Sequence, residues 1–352
     1  MGTTAAEASV PMHSKLSHTM NQKSRFIQFS EVGIAMHLRF FIVVFIASCV
    51  VLSNATRTQE LRAENTPAPG LEVVLQHQAP SNPASQENSE RDYRVATTNE
   101  LWKASQTAVI ICDMWDSHHC YRAVQRQAQM VPRMEKVLNH LRSKGVTLIH
   151  APSGCMAAYG NNPARQRVAS IPKSVVPEGI NEWCRSIPSE EKVTYPLDQS
   201  DGGEDDTPEE HAAWAEALKA KGLNPRSPWT KQHQGLTIDP ANDFISDRGD
   251  EIWNLLEHRD LKHVILLGVH TNMCVLGRPF GLRQLSSNGV NVVLMRDLTD
   301  SMYNPKSWPH VSHLEGNALI ISHIERHVCP TLTSDQFLGG APFCFTPITP
   351  SR

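Results

Sequence analysis

One cysteine of this chain lies where a thiol nucleophile could be activated. Residues 268–275 read Gly-Val-His-Thr-Asn-Met-Cys-Val, so a buried apolar strand ends in a tight polar turn and helix-like sequence begins at Cys274. A thiol at a helix N-terminus lies in the positive end of the helix dipole, which lowers its pKa and raises its thiolate fraction. Backbone N–H groups of the same turn can point at a developing oxyanion. The competing interpretation is a buried structural cysteine, the usual state of a free thiol.

The turn around Cys274 resembles the G-V-x-T-x-x-C-V signature of the isochorismatase-like cysteine hydrolases, which include nicotinamidases and N-carbamoylsarcosine amidases. Two further matches accompany it. Residues 108–114, Ala-Val-Ile-Ile-Cys-Asp-Met, look like the family's first strand and its catalytic aspartate, here Asp113. Lys231 lies 43 residues before Cys274, near the family's spacing from catalytic lysine to cysteine. The resemblance covers about residues 105–330.

The resemblance implies a role for each of these residues. Asp113 would take the thiol proton as general base and return it to the leaving group. Lys231 would help to hold Cys274 as a thiolate, which would attack a carbonyl carbon to give a thioester. The family also has a cis peptide at the position of Val269–His270, with an oxyanion hole formed by the backbone N–H groups of His270 and Cys274. A turn carboxylate at Asp113 and a surface lysine at Lys231 are the alternatives.

The metal site of nicotinamidases has no recognisable counterpart in this sequence. Those enzymes carry one aspartate and two histidines after the second strand, whereas here that strand runs into residues 150–155, His-Ala-Pro-Ser-Gly-Cys. Asp116, His118 and His119 follow Asp113 and have side chains of the kind that bind metals. The favoured interpretation is that they line the pocket rim or cap the next helix. We therefore expect no cofactor, with Asp116 and His118 as weak candidates for holding a divalent metal.

Aromatic and basic side chains near these motifs are candidates for binding a substrate. Trp115, Tyr159 and Trp229 would form an apolar pocket wall together with Phe280, although core packing explains such aromatic residues at least as well. A guanidinium pairs bidentately with a carboxylate. The arginines that are candidates for this contact are Arg165, Arg167 and Arg278.

Alternating apolar and amphipathic segments place the motifs in an α/β fold. Continuous apolar runs, typical of strands buried on both faces, lie within residues 107–112, 146–150, 261–269 and 291–297. Apolar residues at helical spacing lie at about 121–143, 274–287 and 313–327. The alternation predicts a three-layer α/β/α, Rossmann-like domain around a central, mostly parallel sheet. Ligands of such sheets bind at the carboxyl ends of the strands, where both Asp113 and Cys274 lie.

The N-terminal residues predict export. Residues 40–52 form a run of thirteen uncharged, mostly apolar residues, preceded by Arg39 and followed by small residues at positions 53 and 55. This pattern is typical of a secretory signal peptide, and the run is short for a membrane span of about 20 residues. An uncleaved anchor and a lipidated Cys49 are the alternatives. We therefore expect a leader at 1–55 and a periplasmic or extracellular protein, either free or tethered to the membrane.

Two further segments differ in composition from the predicted hydrolase domain, which we place at 99–345. Residues 56–98 are rich in Gln, Asn, Pro, Ser and Glu, which predicts a flexible linker with a short strand at 71–75. Residues 171–230 interrupt the domain with many prolines, an acidic run and a predicted helix at 208–221. A long insertion in a compact domain is often a lid or a binding loop.

The composition excludes some classes of partner. Lys and Arg total 33 against 36 Asp and Glu, so the chain shows no bulk basic character of the kind that nucleic-acid binding needs. Aromatic residues make up 6%, which argues against a stacking platform for single strands. We therefore expect a small-molecule substrate and no nucleic acid. The resemblance also implies self-association into a homo-oligomer.

The predicted function is hydrolysis of a C–N bond in a small amide or ureido compound, through a thioester on an Asp113–Lys231–Cys274 triad. One alternative is an isochorismatase-type vinyl-ether hydrolase, but those enzymes commonly lack the cysteine. Another is a non-catalytic, small-molecule-binding protein on the same scaffold, against which the intact set of Asp, Lys and Cys argues.

Overall fold

In the part of the chain that the structure describes, eight strands form the central sheet. The computed structural model describes residues 70–81 and 92–348, and the predicted leader lies outside them. The strands are β1 Gly70–Pro80, β2 Tyr93–Lys103, β3 Thr107–Cys112, β4 Thr147–Ala151, β5 Phe244–Ile245, β6 His263–Val269, β7 Asn291–Asp300 and β8 Thr331–Leu332. Their order across the sheet is β2-β1-β8-β7-β6-β3-β4-β5. The strands from β8 to β5 are parallel, and β1 is antiparallel to both of its neighbours.

Helices cover both faces of the sheet. Those of the described residues are α1 Tyr121–Ser143, α2 Pro163–Ala169, α3 Pro208–Ala220, α4 Gly249–His258, α5 Leu282–Ser287, α6 His313–His327 and α7 Asp335–Leu338. Side chains alternate across β3, so that Ala108 and Ile110 pack with α4, α5 and α6, while Val109 and Ile111 pack with α1 on the other face. The predicted three-layer α/β/α architecture is therefore confirmed.

No helix within residues 70–81 and 92–348 is both long enough and apolar enough to cross a bilayer.

The N-terminal hairpin corrects the prediction of a linker at 56–98. Strand β1 and the first half of β2 lie inside that range and pair over eleven consecutive positions. Leu71, Val73 and Leu75 are buried against the sheet layer that carries α1, while the residues between them are exposed. The short strand expected at 71–75 lies within β1. Strand β2 is rich in Thr and other polar residues and is stabilised by its pairing with β1, which its composition does not reveal.

Two neighbouring parallel strands position the site. Strands β3 and β6 are in register up to the pair Cys112–Gly268, so the residues after both strands emerge at the same edge of the sheet. Gly268 has φ of 111°, and a Cβ at this position would lie 2.0 Å from the carbonyl oxygen of Cys112. Only glycine allows both this backbone conformation and this close approach. Asp113 and the turn that carries Cys274 are thereby brought side by side.

Candidate active site

Asp113 is a fully buried carboxylate one residue beyond β3, with φ of 46°. Its Oδ1 accepts a hydrogen bond of 2.8 Å from the backbone N–H of Ser153, and its Oδ2 accepts one of 2.9 Å from Nε of Arg278. Burial raises the pKa of the carboxyl group, and the positive charge of Arg278 and the hydrogen bonds from Ser153 and Cys274 only partly offset this. Two hydrogen bonds therefore fix the orientation of the Asp113 side chain, and its carboxyl group binds a proton more tightly than an exposed one would.

Cys274 lies beside this carboxylate, in the single π-helical turn Thr271–Val275. Its side chain is 8% exposed, and its thiol is close enough to the Asp113 carboxyl for each group to shift the pKa of the other. Burial, followed by the negative charge of Asp113, raises the pKa of the thiol, although Arg278 and a backbone hydrogen bond from His270 act in the opposite direction. The predicted lowering of the thiol pKa is therefore wrong, because burial outweighs the effect of the turn.

The turn has the backbone conformation that the resemblance implies. The Val269–His270 peptide bond is cis. The carbonyl oxygen of His270 accepts hydrogen bonds from the backbone N–H groups of Met273 and Val275, at 3.0 and 3.1 Å. The backbone of His270 also hydrogen-bonds to the sulfur of Cys274. The backbone of His270 thus holds the turn together and interacts with the sulfur that the turn carries.

The cation at this pair is Arg278 and not the predicted Lys231. Arg278 follows Cys274 by four residues, and its backbone N–H donates to the Cys274 carbonyl oxygen at 3.0 Å, so one turn carries both side chains. Its guanidinium reaches Asp113 and also lies 5.2 Å from the ring centre of Trp183.

Lys231 itself is exposed, and its ammonium has no ion pair or hydrogen bond within the described part of the chain. Its backbone is near the site because the carbonyl oxygen of Lys231 accepts from the N–H of Asp116 at 2.9 Å. The backbone of Lys231 thus contacts the segment after Asp113, whereas its side chain is exposed.

A cavity of about 620 Å³ opens onto the sulfur of Cys274. Most of its wall comes from the insertion at 171–230 and from α5 and α6. The lining residues that carry polar or aromatic groups are Trp183, Arg185, Ser186, Glu190, Tyr195, Gln199, Asn272, Arg283 and His323. Sequence reasoning assigned none of these residues to the pocket, although it did identify the insertion as a lid or binding loop.

Three contacts fix the insertion to the turn that carries Cys274. The backbone N–H of Cys184 donates to the carbonyl oxygen of Gly277 at 2.8 Å. The hydroxyl of Tyr195 and the side-chain amide of Gln199 both donate to the carbonyl oxygen of Asn272, at 3.1 and 3.2 Å. The insertion is therefore a fixed wall over the nucleophile in this structure.

A buried ion cluster of Glu190, Arg283 and His323 forms part of the cavity wall. Glu190 accepts a bidentate pair of hydrogen bonds from Arg283, at 2.7 and 2.8 Å, and a third of 2.8 Å from Nε2 of His323. Burial opposes ionisation of Glu190, but the bonds from His323 and Arg283 outweigh it and lower the pKa of Glu190 to about 2. The insertion is thus bonded to α5 and α6 through a carboxylate that stays ionised.

The aromatic residues predicted to form the pocket wall do not line this cavity. The rings of Trp115 and Trp229 stack at 4.8 Å, and Nε1 of Trp115 donates to the Ser153 carbonyl oxygen at 3.0 Å. The hydroxyl of Tyr159 accepts from the backbone N–H of Gln232 at 2.8 Å. These contacts brace the loops behind Asp113, so the alternative of core packing applies; Phe280 is likewise fully buried.

The other two arginines named as carboxylate binders are engaged within the protein. Arg165 pairs with Glu251 at 2.6 Å. Arg167 donates to the carbonyl oxygens of Asp243 and Pro240. Both therefore stabilise the loop before α4 and neither is free to bind a substrate.

The side chains named as weak metal candidates do not converge on a common point. The carboxylate of Asp116 accepts from the backbone N–H and the hydroxyl of Thr230, at 2.8 and 2.5 Å. Nδ1 of His118 accepts from the backbone N–H of Cys120 at 3.2 Å. Asp116 thus ties the segment after β3 to the segment around Lys231, and His118 bonds within the loop that leads into α1, so the two side chains do not fit a shared metal. Neither side chain accepts from a backbone N–H of α1, so the predicted capping of that helix is wrong for these residues.

Asp206 belongs to two other groups of potential metal ligands, one with Cys120 and Asp205 and one with Glu204 and His211. Its carboxylate accepts from the first two backbone N–H groups of α1, at 2.7 and 2.8 Å. Asp205 is paired with the buried Arg126 at 2.8 Å. Capping and ion pairing account for both carboxylates.

The fold and the site define a class: an α/β protein with a thiol and a carboxylate in contact at the carboxyl edge of a parallel sheet. No family model and no curated protein matches the chain. Among solved structures, the chain is similar to a cysteine hydrolase from Pseudomonas syringae pv. phaseolicola 1448A, with 18% identity over 66% of this chain and 91% of that chain and a TM-score of 0.39. It is also similar to an isochorismatase from Pseudomonas putida KT2440, with 10% identity over 66% and 91% of the two chains and a TM-score of 0.40.

A third similar structure is a nicotinamidase from Staphylococcus aureus, with 10% identity over 62% of this chain and 92% of that chain and a TM-score of 0.29. The structures to which the chain is similar thus include the isochorismatase-like proteins that its cysteine motif resembles. At this level of similarity, the function of the chain has to be inferred from its own residues.

Proposed function

We propose that this chain is a hydrolase in which Cys274 is the nucleophile and Asp113 is its general base. The observation that supports this most directly is the contact between a buried carboxylate and a buried thiol at the floor of a cavity. A carboxylate next to a neutral thiol is the arrangement needed for proton transfer at the moment of attack. A structural cysteine in a core would gain nothing from an ionised neighbour, which costs free energy to bury.

The reaction begins from the protonated thiol. Asp113 takes the thiol proton as the sulfur of Cys274 attacks the carbonyl carbon of an amide or ureido group, and the C=O electron pair moves onto oxygen. The N–H groups of His270 and Cys274 donate to that oxyanion. As the C–N bond breaks, Asp113 returns the proton to the departing nitrogen and a thioester remains on Cys274.

Water completes the cycle. Asp113 accepts a proton from a water molecule that attacks the thioester, and the released thiol takes up this proton. Arg278 acts throughout as a positioning residue, because its guanidinium holds Oδ2 of Asp113 while the backbone N–H of Ser153 holds Oδ1. This sequence of steps uses no redox cofactor and no metal.

The substrate is a small molecule with a hydrolysable C–N bond. A cavity of about 620 Å³ is within the usual size range of small-molecule sites. Its wall combines an aromatic ring, Trp183, with the guanidinium of Arg185 and amide groups, so it suits a polar compound with a flat or partly apolar portion. Vinyl-ether hydrolysis would not need the thiol, and nothing in the cavity favours it.

The test is ammonia release from a panel of small amides and ureides by the parent protein and by Cys274→Ala. We expect activity in the parent, none in Cys274→Ala, and a mass increase on Cys274 equal to the acyl group when the reaction is stopped early. Cys344→Ala is the matched control, because Cys344 is an exposed thiol away from the cavity. Equal turnover by the parent and Cys274→Ala would reject the nucleophile assignment, and selective binding of a panel member without turnover would favour the non-catalytic alternative.

A further inference from the structure

Strand β2 is a long, regular edge that nothing in the described residues covers. It spans the eleven residues Tyr93–Lys103 and pairs with β1 without a bulge, and no strand within residues 70–81 and 92–348 lies on its other side. Natural sheets usually protect such edges with prolines, bulges or very short strands. The opposite edge shows that protection, because β5 has only two residues and both are buried.

The side chains of β2 do not oppose the pairing of this edge with another strand. It contains no proline, and the interior charges are one basic residue, Arg94, and one acidic residue, Glu100. Val95 and Leu101 are 60% and 72% exposed on the face turned away from the core. Large apolar side chains on an open strand edge are typical of a surface that pairs with another strand.

The sequence of β2 is complementary to itself when read in the opposite direction. If two copies pair antiparallel about Thr97, each Arg94 lies directly opposite the Glu100 of the other copy. In the same register Tyr93 lies opposite Leu101, so that this exposed leucine gains an aromatic neighbour from the other copy. Opposite charges and aromatic–aliphatic pairs in facing positions stabilise antiparallel strands.

We propose that β2 is the docking edge for a second copy of this chain, paired antiparallel about Thr97 into one sheet that continues through both copies. A two-fold axis at Thr97 forms each favourable pair twice, which an unrelated partner strand would not do. The edge is separated from β6, and hence from the catalytic turn, by β1, β8 and β7. Dimerisation through β2 is therefore independent of the proposed chemistry.

Charge reversal tests this register directly. Arg94→Glu and Glu100→Arg each place two like-charge pairs in the interface, so we expect each variant of the full chain to dimerise at least about tenfold more weakly in sedimentation equilibrium, and the parent to be a dimer. In an equimolar mixture, a heterodimer of the two variants restores opposite charges at both pairs. We expect the mixture to dimerise with close to the parent's affinity.

Glu100→Arg loses the hydrogen bond between Glu100 and Trp102, which can impair folding of this variant. Two further measurements therefore test the interface without it. Arg94→Glu alone should regain dimer in 0.5 M NaCl, because salt screens like charges on a surface. Arg226→Glu, an exposed change of equal size on the insertion, should leave the dimer intact. A monomeric parent, or charge reversals without effect on the dimer, would overturn the proposal.

Discussion

At the scale of single residues, Arg278 links the proposed nucleophile, Cys274, to the proposed base, Asp113. It shares a turn with Cys274, donates to Asp113 at 2.9 Å and is covered by Trp183. A buried carboxylate needs such a partner, because an unpaired buried charge costs several kcal/mol. The guanidinium holds Oδ2 of Asp113 and lowers the pKa of the carboxyl group, so its proposed role is to position the base and to favour its ionised form.

Replacing the two candidate cations should separate their roles. We expect Arg278→Ala to lower kcat/KM about 100-fold, because a charge-assisted hydrogen bond of about 2–3 kcal/mol is lost at the base. Arg278→Lys should recover part of this loss, since a single ammonium can still pair with Asp113. Lys231→Ala, at an exposed position, should change kcat/KM by less than about threefold. Steady-state kinetics of the three variants would contradict this assignment if Lys231→Ala were the more damaging change.

The pH profile of kcat/KM should show the environment of Asp113. Because burial raises the pKa of this carboxyl above 3.8, the carboxylate that accepts the thiol proton is lost, as pH falls, already above that value. We therefore expect activity to decline on the acid side at a pH above 3.8, with a slope of one proton. In Arg278→Lys or Arg278→Ala the midpoint should move to higher pH, since Arg278 lowers the pKa of Asp113. A midpoint unchanged by both substitutions would show that another group controls this limb.

The insertion matters at the scale of elements, because it completes the cavity. Glu190 joins it to Arg283 on α5 and to His323 on α6, across 93 and 133 residues of sequence. Removing one member of a buried ion cluster leaves the others unpaired in the interior. The insertion is therefore attached to α5 and α6 by buried ionic hydrogen bonds.

Glu190→Gln should destabilise the protein by about 3 kcal/mol near neutral pH. The pKa of Glu190 falls from 4.5 to about 2 on folding, so its contribution is present above pH 4.5 and is lost as pH decreases toward 2. Urea unfolding at several pH values should show the difference in unfolding free energy between parent and variant shrinking across that interval. A difference that stays constant down to pH 2 would mean that the charge of Glu190 is not what stabilises the fold.

The sequence predicts those elements whose evidence is local. Strands β3 and β6 are continuous apolar runs, and the observed limits of α1 and α6 match the predicted ones because each has apolar residues at helical spacing and a clear end. Strand β2 and the wall around Glu190 depend instead on contacts between distant residues, and no local period marks them. The sequence indicated Arg278 as a candidate for binding a substrate carboxylate. It did not indicate that the carboxylate is Asp113, since the two residues are 165 positions apart.

At the scale of the whole molecule, the close contact between β3 and β6 joins both apolar layers to the site. Leu266 and Leu267 are consecutive in β6 and are buried in opposite layers. The next residue, Gly268, lies so close to the backbone of Cys112 that no side chain would fit between the two strands. Any widening of this contact would separate Asp113 from Cys274 and open both layers together.

Gly268→Ala should therefore damage stability and activity in one step. A Cβ 2.0 Å from a backbone oxygen, on a residue with φ of 111°, cannot be accommodated without moving a strand, so we expect a loss of more than about 4 kcal/mol in unfolding free energy. Gly289→Ala is the matched control, because Gly289 also has positive φ, at 81°, but no atom lies within 4 Å of its added Cβ. It should cost about 1 kcal/mol and leave turnover intact. Similar losses in both variants would attribute the effect to backbone conformation alone.

The shared turn of Cys274 and Arg278 has a consequence for recognising other chains of this kind. Because Cys274 and Arg278 are four positions apart, one short peptide carries both the proposed nucleophile and its guanidinium, and the rest of the fold has only to bring the Asp113 strand beside it. A search keyed to a distant lysine would pass over such chains, whereas Gly-Val-x-Thr-x-x-Cys followed by arginine at the fourth position would find them.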